Sequence, residues 1–278
     1  MVIPFDDNTE KLSELAATYR FSFFHHQSLE TLDRVGAPFV PNGSARARLF
    51  RKFAVFWGPF DHFLFLDIDI VVLDTLGELL SSYLSSKCDF VCFDNAIDQV
   101  YKPTALRTKM ITEYAARGFN TGAFLSSQGV LTLDEVEATA SKAVAVKDSF
   151  VATTGEQPFF NYCMDTKRAH IVEAAELMPD LSASAWAPLR LSRKADGSYR
   201  VCDTKSPFHN KRLLFVHWAG FSCDPYMPNR RLFTRYRVRG YTAPLSRIRY
   251  LFAFYILRLC TPANVLRWLY RQWLQRTR

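Results

Sequence analysis

Two aspartates interrupt an otherwise apolar run, and their type and spacing could bind a metal ion. Residues 63–72 read F-L-F-L-D-I-D-I-V-V, with Asp67 and Asp69 as the acidic positions. Side chains alternate along a strand, so the pattern predicts two carboxylates pointing the same way at the end of a buried strand. A divalent cation would relieve their repulsion and burial cost, and oxygen ligands suit Mg²⁺ or Mn²⁺. In the simpler alternative, both aspartates only cap the strand end through backbone hydrogen bonds.

The same string fits a second chemistry. An apolar strand ending in D-x-D-x-V is also the nucleophile motif of haloacid-dehalogenase-like phosphatases, in which the first aspartate, here Asp67, attacks phosphorus. That motif belongs near the first strand of its fold and needs a downstream lysine and a further acidic pair. Here residues 1–66 precede it and no G-D-x-x-x-D string follows, so the phosphatase is the weaker hypothesis.

Several short motifs occur in a defined order around the aspartate pair. Arg48 comes first, followed by D-I-D, F-N-T-G at 119–122, E-Q at 156–157 and H-W-A-G at 217–220. Together they resemble glycosyltransferase family 8 and its relatives over residues 44–221. The resemblance implies a GT-A-type α/β fold, with an open, mostly parallel sheet flanked by helices. It also implies a hexosyltransferase that uses a nucleotide-diphosphate sugar, with a UDP-sugar favoured.

The resemblance implies a role for each matching residue. It makes Asp67, Asp69 and His217 the ligands of Mn²⁺ or Mg²⁺, of which Mn²⁺ tolerates the imidazole nitrogen better. It implies retention of anomeric configuration, with Gln157 positioning the sugar and stabilising an oxocarbenium ion. The implied catalytic residues are Gln157, Glu156 and Asn120, and the implied substrate-binding residues are Arg48, Thr121, Gly122 and Gly220.

Two departures from the family pattern affect the expected site. Residues 221–224 read F-S-C-D where the family often has a lysine that contacts the diphosphate, and Arg230 or Arg231 is the candidate substitute. The chain also starts at what corresponds to the second strand of the GT-A core, at residues 2–5. We therefore expect either that the true start of the protein lies upstream of residue 1 or that the first strand and part of the nucleotide pocket are missing. A degenerate, non-catalytic relative that binds sugar or nucleotide is the main alternative function.

The elements around these motifs alternate between strands and helices, which favours a mostly parallel sheet covered on both faces. The helix predicted around Arg48 also carries Arg46 and Arg51, which are alternatives for a contact to phosphate or sugar hydroxyls. Apolar runs predict strands at 2–5, 21–24, 63–72, 89–93, 123–126, 169–172 and 213–217, and helical spacing predicts helices at 9–19, 45–56, 103–117, 133–145 and 157–164.

The net charge of +8 is concentrated at one end of the chain. Residues 225–278 contain twelve arginines and no acidic residue, while acidic residues outnumber basic ones in the rest of the chain. We predict an N-terminally short catalytic domain at 1–240 and a basic amphipathic helical tail at 241–278. Such a tail is typical of helices that bind an anionic membrane surface. Its predicted apolar face contains Leu266, Leu269, Tyr270 and Trp273, and its basic face contains Arg267 and Arg271.

Partners and compartment are inferred from the same features. A membrane-surface enzyme fits a lipid-linked or polysaccharide acceptor, and a tail packed on the domain with a solvated basic face is the alternative. No nucleic-acid-binding module is recognised, so no nucleic acid is expected. The six cysteines are scattered, and neither paired C-x2-C motifs nor a signal peptide is found, so we expect reduced thiols in a cytoplasmic protein. Where the tail binds lipid, we expect the protein to be peripheral at the inner membrane face. No apolar stretch is long enough to span a bilayer.

Overall fold

The strands and helices are taken from a computed structural model, which describes residues 2–4, 12–13, 16–17, 20–40, 45–221, 226–240 and 244–252. The strands are β1 (Val2–Pro4), β2 (Ser22–Phe24), β3 (His62–Leu66), β4 (Ile70–Val72), β5 (Phe90–Phe93), β6 (Asn120–Ser127), β7 (Ile171–Glu173), β8 (Leu191–Arg193), β9 (Tyr199–Val201), β10 (Arg212–Leu213) and β11 (Phe215–His217). The α-helices are α1 (Leu29–Gly36), α2 (Gly77–Ser85), α3 (Ala105–Tyr114), α4 (Leu133–Ala143), α5 (Gln157–Thr166), α6 (Ala174–Leu177), α7 (Arg230–Arg237) and α8 (Pro244–Phe252).

The chain divides into two compact units. The first unit comprises Met1–Leu66 and Gly77–Pro179, and the second comprises Asp67–Leu76 and Asp180–Arg278. Each unit has a cluster of buried apolar side chains of its own.

A four-stranded sheet in the order β3-β6-β5-β7 forms the centre of the first unit. β6 pairs antiparallel with β3 and β5, whereas β5 pairs parallel with β7. The predicted α/β class is confirmed, since this sheet and the helices α1 to α6 belong to one unit. The expected mostly parallel pairing needs a correction, because these four strands form a mixed sheet. Apolar periodicity identifies a strand but carries no information about its direction.

Phenylalanine rings fill the core of the first unit. Phe124 on β6 stacks on Phe65 at a centroid distance of 5.0 Å and on Phe90 at 4.9 Å. Phe53, from the 3-10 helix Ala45–Trp57, stacks on Phe160 of α5 at 4.7 Å. Burying each such ring contributes roughly 1.5–3 kcal/mol. This packing fixes α5 and the 3-10 helix beside β6, and all three carry candidate site residues.

The strand predicted at 63–72 is broken where the aspartates lie. Residues 67–69 separate β3 from β4, and Ile70 N donates a hydrogen bond to Asp67 O at 3.2 Å, which closes a turn. Two carboxylates inside a buried strand would cost several kcal/mol, whereas this turn leaves the side chain of Asp67 34% exposed and that of Asp69 43% exposed. Strand alternation is therefore not what brings the two carboxylates together.

The second unit contains two small antiparallel sheets, β11-β4 and β10-β9-β8. In the first of them, His217 pairs with Ile70, directly after the aspartate turn. The strand predicted at 213–217 is also interrupted, because Leu214 lies between β10 and β11. The Leu214 carbonyl accepts a hydrogen bond from Leu73 N at 2.8 Å. This hydrogen bond helps to hold β11 beside β4.

Trp218 anchors the core of the second unit. Its side chain is 1% exposed, and its indole Nε1 donates to Pro228 O at 2.8 Å. Phe233 on α7 packs edge-on against the indole at a centroid distance of 5.4 Å. The residue that follows His217 is therefore locked into the core, which restrains the backbone of the histidine.

Most of the remaining predicted elements are confirmed. β1, β2, β5, β6 and β7 confirm five predicted strands, and α3, α4 and α5 confirm three predicted helices. The segment predicted as a helix at 45–56 is a 3-10 helix. α1 was not predicted, although Leu29, Leu32 and Val35 have helical spacing and are buried. The predicted helix at 9–19 lies largely outside the described residues.

Only the start of the predicted tail is described. α8 confirms helix from residue 244 to residue 252, and residues 253–278, which include both predicted faces of the tail helix, lie outside the described residues. Within the described part of the chain, no helix combines the length and apolar character needed to cross a membrane.

Candidate functional site

Asp67, Asp69 and His217 come together in the second unit. His217 Nε2 lies 3.1 Å from Asp69 Oδ1 and 3.9 Å from Asp67 Oδ2. One ligand atom from each residue lies within 4.8 Å of the other two. The β4–β11 pairing brings the histidine to the turn, and Trp218 N donates to Asp69 O at 3.1 Å, which ties the turn to β11. These three residues are named the DDH cluster below.

The DDH cluster has one buried side and one open side. The imidazole of His217 is 5% exposed, whereas both carboxylates are about one-third or more exposed. Backbone hydrogen bonds at 2.9 Å hold the histidine strand on its other edge, from His217 N to Ala185 O and from Ala187 N to His217 O. The backbone of His217 is therefore held in place, and an ion could reach the carboxylates from solvent.

The donor set fits a hard divalent cation. Cation–oxygen bonds of about 2.0–2.6 Å place neighbouring ligand atoms roughly 3–4 Å apart, which is close to the two separations between His217 Nε2 and the carboxylate oxygens. Two carboxylates and one imidazole are acceptable to Mn²⁺ and, with less preference for the nitrogen, to Mg²⁺. The remaining coordination positions would be open to an oxygen ligand from a substrate.

Glu156 lies in a buried ion pair in the first unit. Its Oε1 accepts hydrogen bonds from Lys52 Nζ at 2.6 Å and from Thr121 Oγ1 at 3.0 Å. The side chains of Lys52 and Glu156 are 8% and 6% exposed. Lys52 Nζ also donates to the Thr121 carbonyl at 3.0 Å and lies 5.0 Å from the centre of the Phe65 ring. Lys52, Thr121 and Glu156 therefore form a hydrogen-bonded network, which we name the KTE network.

Lys52 is a further candidate site residue, which the sequence pattern does not single out. It lies four residues after Arg48 on the same 3-10 helix, and only arginines were considered there. Arg48 and Arg46 are exposed, and Arg51 forms a bidentate ion pair with Asp33, with Nη2 to Oδ2 at 2.6 Å and Nε to Oδ1 at 2.9 Å. Arg51 is thus committed to a structural contact, whereas Arg48 remains on the surface.

Asn120 and Gln157 contact each other beside the KTE network. Asn120 Nδ2 donates to Gln157 Oε1 at 3.2 Å, and Asn120 Oδ1 accepts from Gly122 N at 2.7 Å. Gln157 is 5% exposed. Asn161, one turn later on α5, receives a hydrogen bond from Phe119 N at 2.9 Å and donates to Phe119 O at 2.9 Å. These contacts join the F-N-T-G segment to the start of α5.

A tight backbone approach sets the start of β6. Gly118 has a φ of +67°, and a Cβ at this position would lie 2.5 Å from Ile97 Cα. A side chain would therefore clash with backbone and strain the residue. Gly220 also has a positive φ, of +72°, but among the described residues no atom lies within 4 Å of a Cβ built there. The described part of the chain therefore leaves room for a ligand to approach the backbone at Gly220.

The predicted site residues thus fall into two groups. Asp67, Asp69, His217 and Gly220 belong to the second unit, and Arg48, Asn120, Thr121, Gly122, Glu156 and Gln157 belong to the first.

Comparison with known proteins shows which family the chain is similar to. The family model described as glycosyl transferase family 8 matches residues 7–222, which covers every residue of the DDH cluster and of the KTE network. No curated protein matches the chain.

Proposed function

Because the chain belongs to glycosyl transferase family 8, a GT-A-type family of nucleotide-sugar transferases, we propose that it transfers a hexosyl group from a UDP-sugar in a metal-dependent reaction. The observation that carries this proposal is the convergence of Asp67, Asp69 and His217 within 4.8 Å of one another. Family membership also favours sugar transfer over phosphatase chemistry with Asp67 as nucleophile.

In this proposal the DDH cluster holds Mn²⁺ or Mg²⁺. A bound cation supplies positive charge that stabilises the leaving diphosphate, which is a large electrostatic contribution to such a reaction. The imidazole of His217 is buried, its Nε2 already lies 3.1 Å from Asp69 Oδ1, and Ala185 and Ala187 fix the backbone of its strand. Asp67 and Asp69 extend from the turn to the solvent side, where the diphosphate oxygens would complete the coordination.

The first unit supplies the proposed contacts to the transferred sugar. Gln157 and Asn120 orient each other through their amide groups, and we assign them sugar positioning and stabilisation of an oxocarbenium-like transition state in a retaining transfer. The buried ion pair with Lys52 leads us to assign Glu156 a positioning role, because its Oε1 already accepts from two donors. Its backbone immediately precedes Gln157 at the start of α5.

Substrate binding is assigned to four further positions. Arg48 is exposed on its 3-10 helix and would pair with phosphate or sugar hydroxyls. Thr121 and Gly122 follow Asn120 on β6, and Gly220 offers open backbone in the second unit. Arg230 and Arg231, both exposed at the start of α7, are the proposed substitutes for the missing diphosphate-binding lysine.

The tail supports a membrane-surface location in this proposal. We assign residues 1–240 to catalysis and 241–278 to a basic tail that binds anionic lipid near a lipid-linked or polysaccharide acceptor, on the cytoplasmic side. At the described start of the tail, Leu245 is 69% exposed and Ile248 is 62% exposed, and Arg249 is exposed beside them. Exposed apolar and cationic side chains on one helix suit an anionic membrane surface.

The test is Mn²⁺-dependent hydrolysis and binding of UDP-glucose and UDP-galactose. Asp69→Ala is expected to abolish Mn²⁺-dependent turnover. The matched control is Asp61→Ala, which removes an exposed aspartate ahead of β3 and should retain this turnover. Nucleotide-sugar binding without turnover in the wild type would favour the non-catalytic alternative. Absence of both binding and turnover would refute the proposal, and trapping of an aspartyl adduct by fluoroberyllate would support the phosphatase.

A further inference from the structure

Trp186 is an exposed aromatic side chain attached to the strand of the metal-site histidine. Its side chain is 44% exposed, although it lies between the buried residues Ala185 and Ala187. The hydrogen bonds that those two neighbours exchange with His217 define a parallel bridge between Trp186 and His217. Residues paired in this way project from the same side of the sheet, so the indole and the imidazole share one face.

A second ring lies against the exposed indole. The rings of Trp186 and Phe221 have a centroid distance of 6.1 Å and an interplanar angle of 43°, within the usual range for an aromatic pair. The backbone around Trp186 is also fixed, because Trp186 N donates to Ser184 Oγ at 3.3 Å and Leu189 N donates to Trp186 O at 3.1 Å. The indole is therefore presented to solvent on a rigid support.

The exposed part of the Trp186 indole adds little to the stability of the fold. Burial of an aromatic ring stabilises a fold by roughly 1.5–3 kcal/mol, and the core of this unit already contains the fully packed Trp218, 1% exposed. A rigid, half-exposed indole is instead suited to stacking on a ring-shaped ligand, since its conformation is set before binding. Among ligands of a sugar transferase, a pyranose ring offers an apolar C–H face for this contact.

We propose that Trp186, supported by Phe221, is a stacking platform for a pyranose ring of the sugar substrates. The proposal rests on the proposed function, because that function supplies the class of ligand. The pyranose could come from the donor or from the acceptor, and the stacking chemistry is the same in both cases. The platform lies in the second unit with the DDH cluster.

The test is ¹⁹F NMR of the full chain labelled with 5-fluorotryptophan, with the Trp186 resonance assigned by Trp186→Phe. Four probes are added separately in the presence of Mn²⁺: UDP, UDP-glucose, UDP-galactose, and a mixture of methyl glucosides and galactosides. A shift with the glycosides identifies an acceptor sugar, and a shift with a UDP-sugar but not with UDP identifies the donor sugar. If UDP shifts the resonance as much as the UDP-sugars do, and the glycosides do not shift it, the indole stacks on the nucleobase and the proposal is overturned. The proposal is also overturned if no probe shifts the resonance.

A kinetic measurement separates this proposal from the proposed function. Trp186→Ala is expected to raise the KM for the sugar substrate about 2- to 10-fold, in line with the strength of an aromatic contact, while UDP affinity is unchanged. Phe60→Ala removes an equally exposed ring, 45% exposed, and is the matched control with unchanged KM. If the wild type fails to hydrolyse UDP-sugars but glycosides still shift the Trp186 resonance, the transferase proposal fails and the stacking platform stands.

Discussion

Breaking the buried Lys52–Glu156 ion pair should strongly destabilise the fold. Lys52→Met leaves the carboxylate of Glu156 buried, with Thr121 Oγ1 as its remaining donor in the KTE network. Removing one partner of a buried ion pair typically costs about 3–5 kcal/mol, because the other charge stays buried without compensation. The side-chain exposures of 8% and 6% put this pair in that class.

Glu156→Gln should cost less than Lys52→Met. The amide oxygen of Gln still accepts from the Lys52 ammonium, and the Thr121 carbonyl accepts from the same ammonium at 3.0 Å. We therefore expect a loss of about 1–3 kcal/mol, as for a charged hydrogen bond replaced by a neutral one. A double substitution, Lys52→Met with Glu156→Leu, should recover much of the loss, because neither charge then remains buried.

The assay is urea unfolding, with the free energy of unfolding compared at fixed pH and salt. The chain offers a matched control in the ion pair of Lys167 and Glu135, whose side chains are 33% and 41% exposed. Lys167→Met should cost only about 0–1 kcal/mol, as exposed ion pairs usually do. If Lys52→Met costs no more than Lys167→Met, burial does not govern the strength of this pair and the positioning role of Glu156 loses its basis.

Two further predictions concern a buried carboxyl and a tight turn. Burial raises the pKa of Asp165 to about 7, although the Tyr101 hydroxyl, which donates to its Oδ2 at 2.7 Å, lowers it. Because the pKa in the folded state is raised, the stabilisation from this group is full below the unfolded pKa of 3.8 and is lost as pH rises towards about 7. The stability of Asp165→Asn relative to wild type should therefore increase by about 2–3 kcal/mol between pH 5 and pH 8, and a constant difference in thermal or urea unfolding would contradict this. Gly118→Ala should cost about 2 kcal/mol or more in urea unfolding, because it adds a clash with Ile97 to an unfavourable φ. Gly129→Ala is the control, because Gly129 has a similar φ of +76° but a Cβ there meets no atom of the described residues within 4 Å. If both substitutions lower the free energy of unfolding equally, the clash with Ile97 is relieved in the variant.

The parts of the site that the sequence predicts are those with local signals. An apolar run around Asp67 and Asp69, and an apolar strand ahead of His217, are readable without knowledge of the fold. The break between β3 and β4 was not predicted, because an apolar run does not show where the chain must turn to expose two carboxylates. The two carboxylates nonetheless lie on the same side of the turn, as the pattern predicts.

Long-range contacts are the parts that the sequence does not predict. Lys52 and Glu156 are 104 residues apart, and nothing near Lys52 distinguishes it from a lysine on a solvated helix face. Strand direction is similarly hidden: β6 is identified by its apolar residues, but its antiparallel pairing with β3 and β5 depends on how the whole segment folds back. α1 is different, because the helical spacing of Leu29, Leu32 and Val35 is a local signal that predicts this helix.

The pairing of β4 with β11 makes the geometry of the DDH cluster sensitive to chain length more than to composition. Facing residues in this sheet are fixed as Ile70 with His217 and Val71 with Val216. A displacement of one strand by a single residue would turn every side chain to the opposite face. A one-residue deletion in β4 would therefore move the imidazole away from Asp69 even if every apolar residue of the core were kept, whereas exchanges such as valine for isoleucine within β4 leave the alignment intact. Between the turn and the end of β4, the chain should therefore tolerate substitutions but not insertions or deletions.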